Sequence, residues 1–238
     1  MQPRRFHVPE VRAGGTVDLD PAQARHAREV LRLRAGDEVE LFDAAGTTAS
    51  AVLEHVGPDR VSARVGAVRE VAARRLKLVV AAAVPKANRA DWMVEKLSEV
   101  GTDEMIPLAT ARSVVLPEGK NKRDRWHRLA AEAAKQSRRP GLMTVTELRD
   151  VADVVASLAG PGWCLSTAPG AVRAAELVHK LEVDRPLTLF IGPEGGWTDA
   201  ELAAFSTAGV AHVSLTHTVL RVETAALAAA AVVLSAHG

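Results

Sequence analysis

The sequence of 238 residues contains no tyrosine, a single cysteine and only 3% aromatic residues. One thiol, Cys164, cannot close an internal disulfide. No second Cys or His stands near it at metal-ligand spacing, so it is expected to act as a small buried hydrophobe. The missing tyrosine, read with the heavy use of alanine and arginine, reflects composition bias and carries no mechanism. No run approaches the roughly 18 apolar residues that a membrane-spanning helix requires. The opening Met1-Gln2-Pro3-Arg4-Arg5-Phe6 has no apolar stretch behind its charges, which leads to the expectation of a cytoplasmic protein. His26, His212 and His217 are scattered, and no metal site is expected.

Net charge is also scarce, at +1 for the whole chain, but it is unevenly distributed. Residues 76–140 carry 13 Lys and Arg against 8 Asp and Glu, a net +5, whereas residues 141–238 carry 5 against 10, a net −5. A basic middle suits a surface that meets a polyanion. With 238 residues the chain can bury a substantial core without disulfide or metal staples.

What is present divides near residue 72. Before it, short β-like runs (4–8, 16–19, 38–42, 47–56 and 61–68) alternate with turn signals and predict a small barrel or sandwich. One helix interrupts them, with Asp20 as N-cap, Pro21 at its first position, and Ala24, Ala27, Val30 and Leu31 on one face. After Ala73-Arg74-Arg75, continuous apolar strands at 76–83, 163–165 and 187–191 alternate with helices predicted over 87–100, 123–137, 151–158, 198–206 and 225–236. That grammar is an α/β domain with a mainly parallel sheet.

Four constellations stand out. Gly192-Pro193-Glu194-Gly195-Gly196 lies between the apolar strand 187–191 and the capping box Thr198-Asp199-Ala200-Glu201. It therefore sits at the carboxyl end of a strand, where α/β sheets bind ligands and where glycine lets a ligand approach backbone N–H groups. The turn has neither the G-x-G-x-x-G spacing of dinucleotide folds nor the G-K-[ST] ending of P-loops, which argues against NAD and ATP. In the helix over 87–100, Met93, Leu97 and Val100 form an apolar stripe while Trp92, Lys96 and Glu99 form a second one that is either a functional face or an ion-paired surface. Lys120 to Arg125 lead into a helix carrying Arg125, Arg128, Lys135 and Arg139, a basic ridge suited to phosphates. Finally, Leu220-Arg221-Val222-Glu223-Thr224-Ala225 places a cation and a carboxylate before the last helix.

Taken together these segments resemble the RsmE family, SPOUT-class methyltransferases that act on N3 of a uridine in bacterial small-subunit (16S) ribosomal RNA. The resemblance rests on His26 with Val30-Leu31-Arg32-Leu33 and Gly36-Asp37; on Lys86, Lys96, Glu99 and Arg112; and on Glu132-Ala133 with Gln136 and Arg139. It is most specific at Ile191 to Gly196 and at Leu220-Arg221 with Glu223-Thr224-Ala225. It implies a PUA-like RNA-binding β-barrel over 1–72 and a SPOUT-type knotted α/β domain with a mainly parallel sheet over 73–238. It also implies a homodimer, S-adenosyl-L-methionine as cofactor, and 16S ribosomal RNA, within the small ribosomal subunit, as substrate.

Carried over by position, the cofactor would touch Leu165, Ser166 and Thr167; Ile191, Gly192, Pro193, Glu194, Gly195 and Gly196; and Leu215, Thr216 and Leu220. Arg221 would stabilise charge on the base, and Glu223 or Glu194 would orient it or accept a proton. Arg4, Arg32, Lys86, Arg89, Lys96, Arg112, Arg125, Arg128 and Arg139 would meet RNA. Thr216 and Thr218 replace a glycine and an arginine common in the family, so a Cβ could narrow the approach to the cofactor. A ribose 2′-O-methyltransferase of the same class and a non-catalytic RNA-binding or ribosome-assembly protein are the alternatives.

Overall fold

The computed structural model describes residues 3–70, 76–114, 116 and 120–237, with Lys120 described in its backbone only. The expected boundary at 72/73 and the Lys120 side chain of the basic ridge lie outside this description. The chain divides into two compact units, one taking the described residues up to 70 together with Ala134–Leu142, the other the remainder. Among the described residues no helix is long and apolar enough to cross a membrane.

The N-terminal unit is built on β1 (Arg4–His7), β2 (Thr16–Asp18), β3 (Glu38–Phe42), β4 (Thr47–Val56) and β5 (Val61–Glu70), ordered β1-β3-β4-β5-β2. Pairing is antiparallel except between β1 and β3. Period-two alternation buries Ala49, Ala51 and Leu53 of β4 beside Phe6, Leu41 and Val61. Helix α1 (Pro21–Arg25) starts where the sequence signals it: the Asp20 carboxylate accepts 2.9 Å hydrogen bonds from the N–H groups of Ala22 and Gln23.

Its continuation departs from expectation, because His26–Val30 form a π-helical turn closed by the Leu31 N–H on the His26 carbonyl at 3.0 Å. The wider turn rotates successive side chains by less than an α-helix does. Ala24 and Ala27 are therefore buried while Val30 is 66% exposed and leaves the predicted apolar face. A second departure concerns Arg139. Helix α3 (Lys120–Ser137) stops before it, Arg138 takes a left-handed φ of 56°, and Arg139 is buried at 6% exposure, so it is not part of an exposed basic ridge. Its carbonyl instead accepts a 2.8 Å bond from the buried Arg5 guanidinium, which stacks on the Phe42 ring.

The second unit contains β6 (Leu78–Ala83), α2 (Asn88–Val100), β7 (Glu104–Ala109), the α3 residues before Ala134, β8 (Thr144–Val145), β9 (Arg149–Asp150), α4 (Val151–Ala156) and β10 (Gly162–Leu165). It continues through β11 (Val172–Arg173), α5 (Ala174–Leu177), β12 (Leu187–Ile191), α6 (Asp199–Thr207), β13 (Ala211–Ser214) and α7 (Val222–His237). The sheet runs β11-β13-β10-β12-β6-β7-β8 with β9 also on β7, and its strand pairs are parallel. β6 is buried on both faces, as a central parallel strand must be. Leu78, Val80 and Ala82 pack with Met93 and Leu97 of α2 and Ala226, Ala230 and Val233 of α7. Val79 and Ala81 pack on the opposite side with Val154 of α4, Phe190 of β12 and Phe205 of α6.

Candidate active site

Strands β13, β10 and β12 are consecutive neighbours in the sheet and run parallel, so their carboxyl ends share one edge. The segments leaving them, Leu165–Ala168, Ile191–Trp197 and Leu215–Leu220, converge on a cleft of about 400 Å³. Leu165, Ser166, Thr167, Ile191, Gly192, Pro193, Glu194, Gly196, Leu215, Thr216 and Leu220 all line it, whereas Gly195 does not. The wall is completed by Trp197, Val213, Val222 and Ala225, mostly apolar groups.

The glycine turn has the geometry its sequence demands. The Gly196 N–H donates to the Pro193 carbonyl at 2.8 Å, and Gly196 occupies φ 72°, a conformation that L side chains resist. At Gly192 the constraint is steric, since a Cβ there would lie 2.8 Å from the Trp197 ring, which packs edge-on against Phe205. The turn leads into α6 through the complete capping box of Thr198 and Glu201. Arg112, grouped by sequence with the RNA contacts, instead braces this turn: its Nη1 donates to the Gly195 carbonyl at 2.7 Å and the Trp197 carbonyl at 3.3 Å. No sequence motif signals that tie, because the partners are backbone carbonyls 83 and 85 residues away.

The third loop adapts to its threonines. Thr216 is not among the positive-φ residues, so position 216 has no backbone need for glycine. Its hydroxyl donates to the Thr218 carbonyl at 2.9 Å and accepts from the Thr218 N–H at 3.3 Å, closing the loop on itself. Both threonines remain on the cleft wall.

The charged candidates are arranged differently from the sequence expectation. Arg221 is exposed, and among the described residues its side chain makes no ion pair with Glu194 or Glu223. Glu223, in the first turn of α7, is buried at 6% exposure, and its Oε2 has no hydrogen-bond partner among the described residues. Arg89 lies between the two carboxylates, 3.8 Å from Glu194 and 3.6 Å from Glu223.

The other expected RNA contacts separate into free and engaged groups. Arg4, Arg32 and Lys86 are exposed. Lys96 pairs with Glu99 at 2.6 Å and with Glu95 at 2.9 Å, which makes its stripe an ion-paired surface. Arg125 pairs with Asp91 at 2.6 Å, and Arg128 is exposed, its Nε donating to its own-turn Asp124 carbonyl at 3.3 Å.

Behind the cleft, Cys164 is fully buried and burial pushes its thiol up to about 12. A free thiol titrates near 8.5, so the folded pKa is raised, and the associated stability is present below about pH 8.5 and lost as pH rises toward 12. Native protein at pH 8 is expected to resist iodoacetamide and to take up one equivalent in urea. Labelling of the native protein at the rate of a free thiol would contradict this burial.

Residues 72–234 match the family model of an RNA methyltransferase domain, and residues 19–66 match an RNA methyltransferase PUA domain. Ribosomal RNA small subunit methyltransferase E of Mycobacterium bovis is 33% identical over 93% of this chain and 86% of its own. The chain belongs to the ribosomal RNA small subunit methyltransferase E family. The Bacillus subtilis member is 28% identical, with 92% of this chain and 89% of that protein covered. Among solved structures, a putative methyltransferase from Legionella pneumophila in complex with the cofactor SAM matches with a TM-score of 0.88 and 27% identity, covering 99% and 98% of the two chains. Ribosomal RNA small subunit methyltransferase E from Neisseria gonorrhoeae bound to S-adenosyl methionine matches at 0.86 and 26%, covering 97% and 96%. The expected fold class, a SPOUT-type knotted α/β domain behind a PUA-like barrel, and the expected methyltransferase activity are thereby borne out.

Proposed function

We propose that this member of the family transfers a methyl group from S-adenosylmethionine to N3 of a uridine in bacterial 16S ribosomal RNA. The observation that carries the reading is the cleft itself, ringed by three strand-end loops at one sheet edge. Its lining fits the cofactor. The apolar side chains of Leu165, Ile191, Leu215 and Leu220 suit an adenosine, Glu194 supplies negative charge for a sulfonium, and among the described residues no lysine or arginine lines the cleft to hold a phosphate.

When bound, the cofactor supplies an electrophilic methyl group on a positively charged sulfur. The acceptor N3 lies on the Watson–Crick edge, so the uridine must be unpaired or splayed out to enter. As the N3–methyl bond forms, the methyl–sulfur bond breaks with its electron pair left on sulfur, and the N3 proton must go to a base. Glu223 is assigned that proton because it stands in the first turn of α7 between Val222 and Ala225 of the cleft wall, and Arg89 ties it to Glu194 of the same wall. Arg221, exposed beside it in sequence, is free to meet the negative charge on the uracil oxygens. Arg4, Arg32, Lys86 and Arg128 position RNA through phosphates without reading its sequence. The reading includes a homodimer that works in the cytoplasm on RNA within the small ribosomal subunit.

The test is mass spectrometry of digested ribosomal RNA from a strain lacking the gene. Loss of one N3-methyluridine, restored by the gene, is expected. Loss of a ribose 2′-O-methyl mark instead would replace this reading with the ribose one, and an unchanged methylation pattern would reject both.

A further inference from the structure

We infer that Arg89 is a positioning residue of the methyl-transfer site, not a phosphate contact: it fastens the glycine turn to the start of α7 by holding Glu194 and Glu223 in one charge cluster. The inference rests on the proposed reaction and deepens it. Arg89 occupies the first turn of α2, immediately after Ala87, whose φ of 55° and ψ of −141° form a backbone conformation unfavourable for a residue with a side chain. Beyond that turn the helix cannot shift, because Ala90, Met93, Val94 and Leu97 are buried in the core shared with α7. The strained entry and the packed body together fix where the guanidinium emerges.

The guanidinium emerges against two carboxylates from distant parts of the chain. Separations of 3.6 and 3.8 Å make each an ion pair without a direct hydrogen bond. Glu223 decides the sign of the effect, since its side chain is only 8% exposed and a buried carboxylate stripped of its cation is strongly disfavoured. The positive end of α7 supports the same charge. Glu194 is half exposed and belongs to the cleft wall. Its turn is already held on the other side by Arg112 at the Gly195 carbonyl. Two arginines thus grip adjacent residues of one turn, Arg112 through the backbone and Arg89 through a side chain. The pairs at Lys96 and Arg125 differ from Arg89–Glu223, for in each at least one partner is substantially exposed, where an ion pair contributes little.

The consequence is kinetic. Without Arg89 the acceptor oxygen of Glu223 and the carboxylate of Glu194 lose their fixed relation, and misplacement by about 1 Å costs on the order of 100-fold in rate. Arg89→Ala is expected to lower kcat by about 100-fold while KM for RNA stays within about twofold. Arg89→Lys is expected to recover part of the loss, since it keeps the charge but not the fork. The double variant Arg89→Ala/Glu223→Gln is expected to be no slower than Glu223→Gln alone, because both act through one group.

A loss confined to KM, with a salt slope of RNA binding shallower by about 0.7 to 0.9, would make Arg89 a phosphate contact and overturn the inference. Losses that multiply in the double variant would overturn it as well. If Arg89→Ala fails to fold, the same cycle is run with Arg89→Lys. All rates are read on the methyl acceptor that the unaltered protein uses, so failure at N3 and failure at Arg89 are separate results.

Discussion

Glu223→Gln is expected to slow methyl transfer by about 10²- to 10⁴-fold, the contribution typical of a positioned proton acceptor, and to leave cofactor affinity within about threefold. Glutamine keeps the size and the hydrogen-bonding carbonyl of glutamate but cannot take a proton at neutral pH. The side chain is buried, and a neutral amide costs less to bury than a carboxylate, so the variant should fold. Single-turnover methylation measured beside calorimetric binding of S-adenosylmethionine separates chemistry from binding. Turnover retained within about threefold would move the proton acceptor elsewhere, with Glu194 the next carboxylate to test, since Arg89 ties it to the same cluster.

Gly192→Val is the second large effect, expected as a loss of at least about tenfold in cofactor affinity together with about 1 to 3 kcal/mol of stability. A Cβ at position 192 would lie 2.8 Å from the Trp197 ring, and that ring is backed by Phe205 at a centroid distance of 4.9 Å. The indole can yield only by moving along the cleft wall that it helps to form. The other glycines of the turn provide the control. A Cβ at Gly195 would meet only the Arg112 side chain, at 3.4 Å, and Gly196 is limited by its φ of 72° with nearest contact at 4.0 Å. Gly195→Ala should therefore be nearly neutral, within about 0.5 kcal/mol, and Gly196→Ala should cost about 1 to 2 kcal/mol through backbone strain. Thermal unfolding and calorimetry check the ranking, and equal costs at 192 and 195 would contradict the steric account.

Legibility from the sequence follows the range of each interaction. The strand at 187–191, the Thr198 capping box and the helix over 88–100 closed by Gly101 stand where local rules place them, because apolar runs, caps and terminal glycines act within a few residues. β7 carries Pro107 in its interior, and proline argues against a central strand, so the local sequence does not announce it. Val30 leaves the face that an α-helical period predicts because its turn is π-helical. Arg139 follows Lys135 at helical spacing and so reads as one more ridge cation, but α3 ends at Ser137 and the backbone turns left-handed at Arg138.

By itself the sequence determined the two-part organisation of strands then α/β alternation, the glycine turn at a strand end, and the resemblance that names the chemistry. Those depend on patterns carried by contiguous residues. Only the tertiary structure decided which cations are free and which are engaged. Arg89, Arg112 and Arg139 are equivalent as letters, yet one bridges Glu194 and Glu223, one holds the Gly195 carbonyl and one is buried. A guanidinium acts on whatever acceptor lies within about 4 Å, and for Arg89 and Arg112 the acceptors come from chain segments more than 80 residues away.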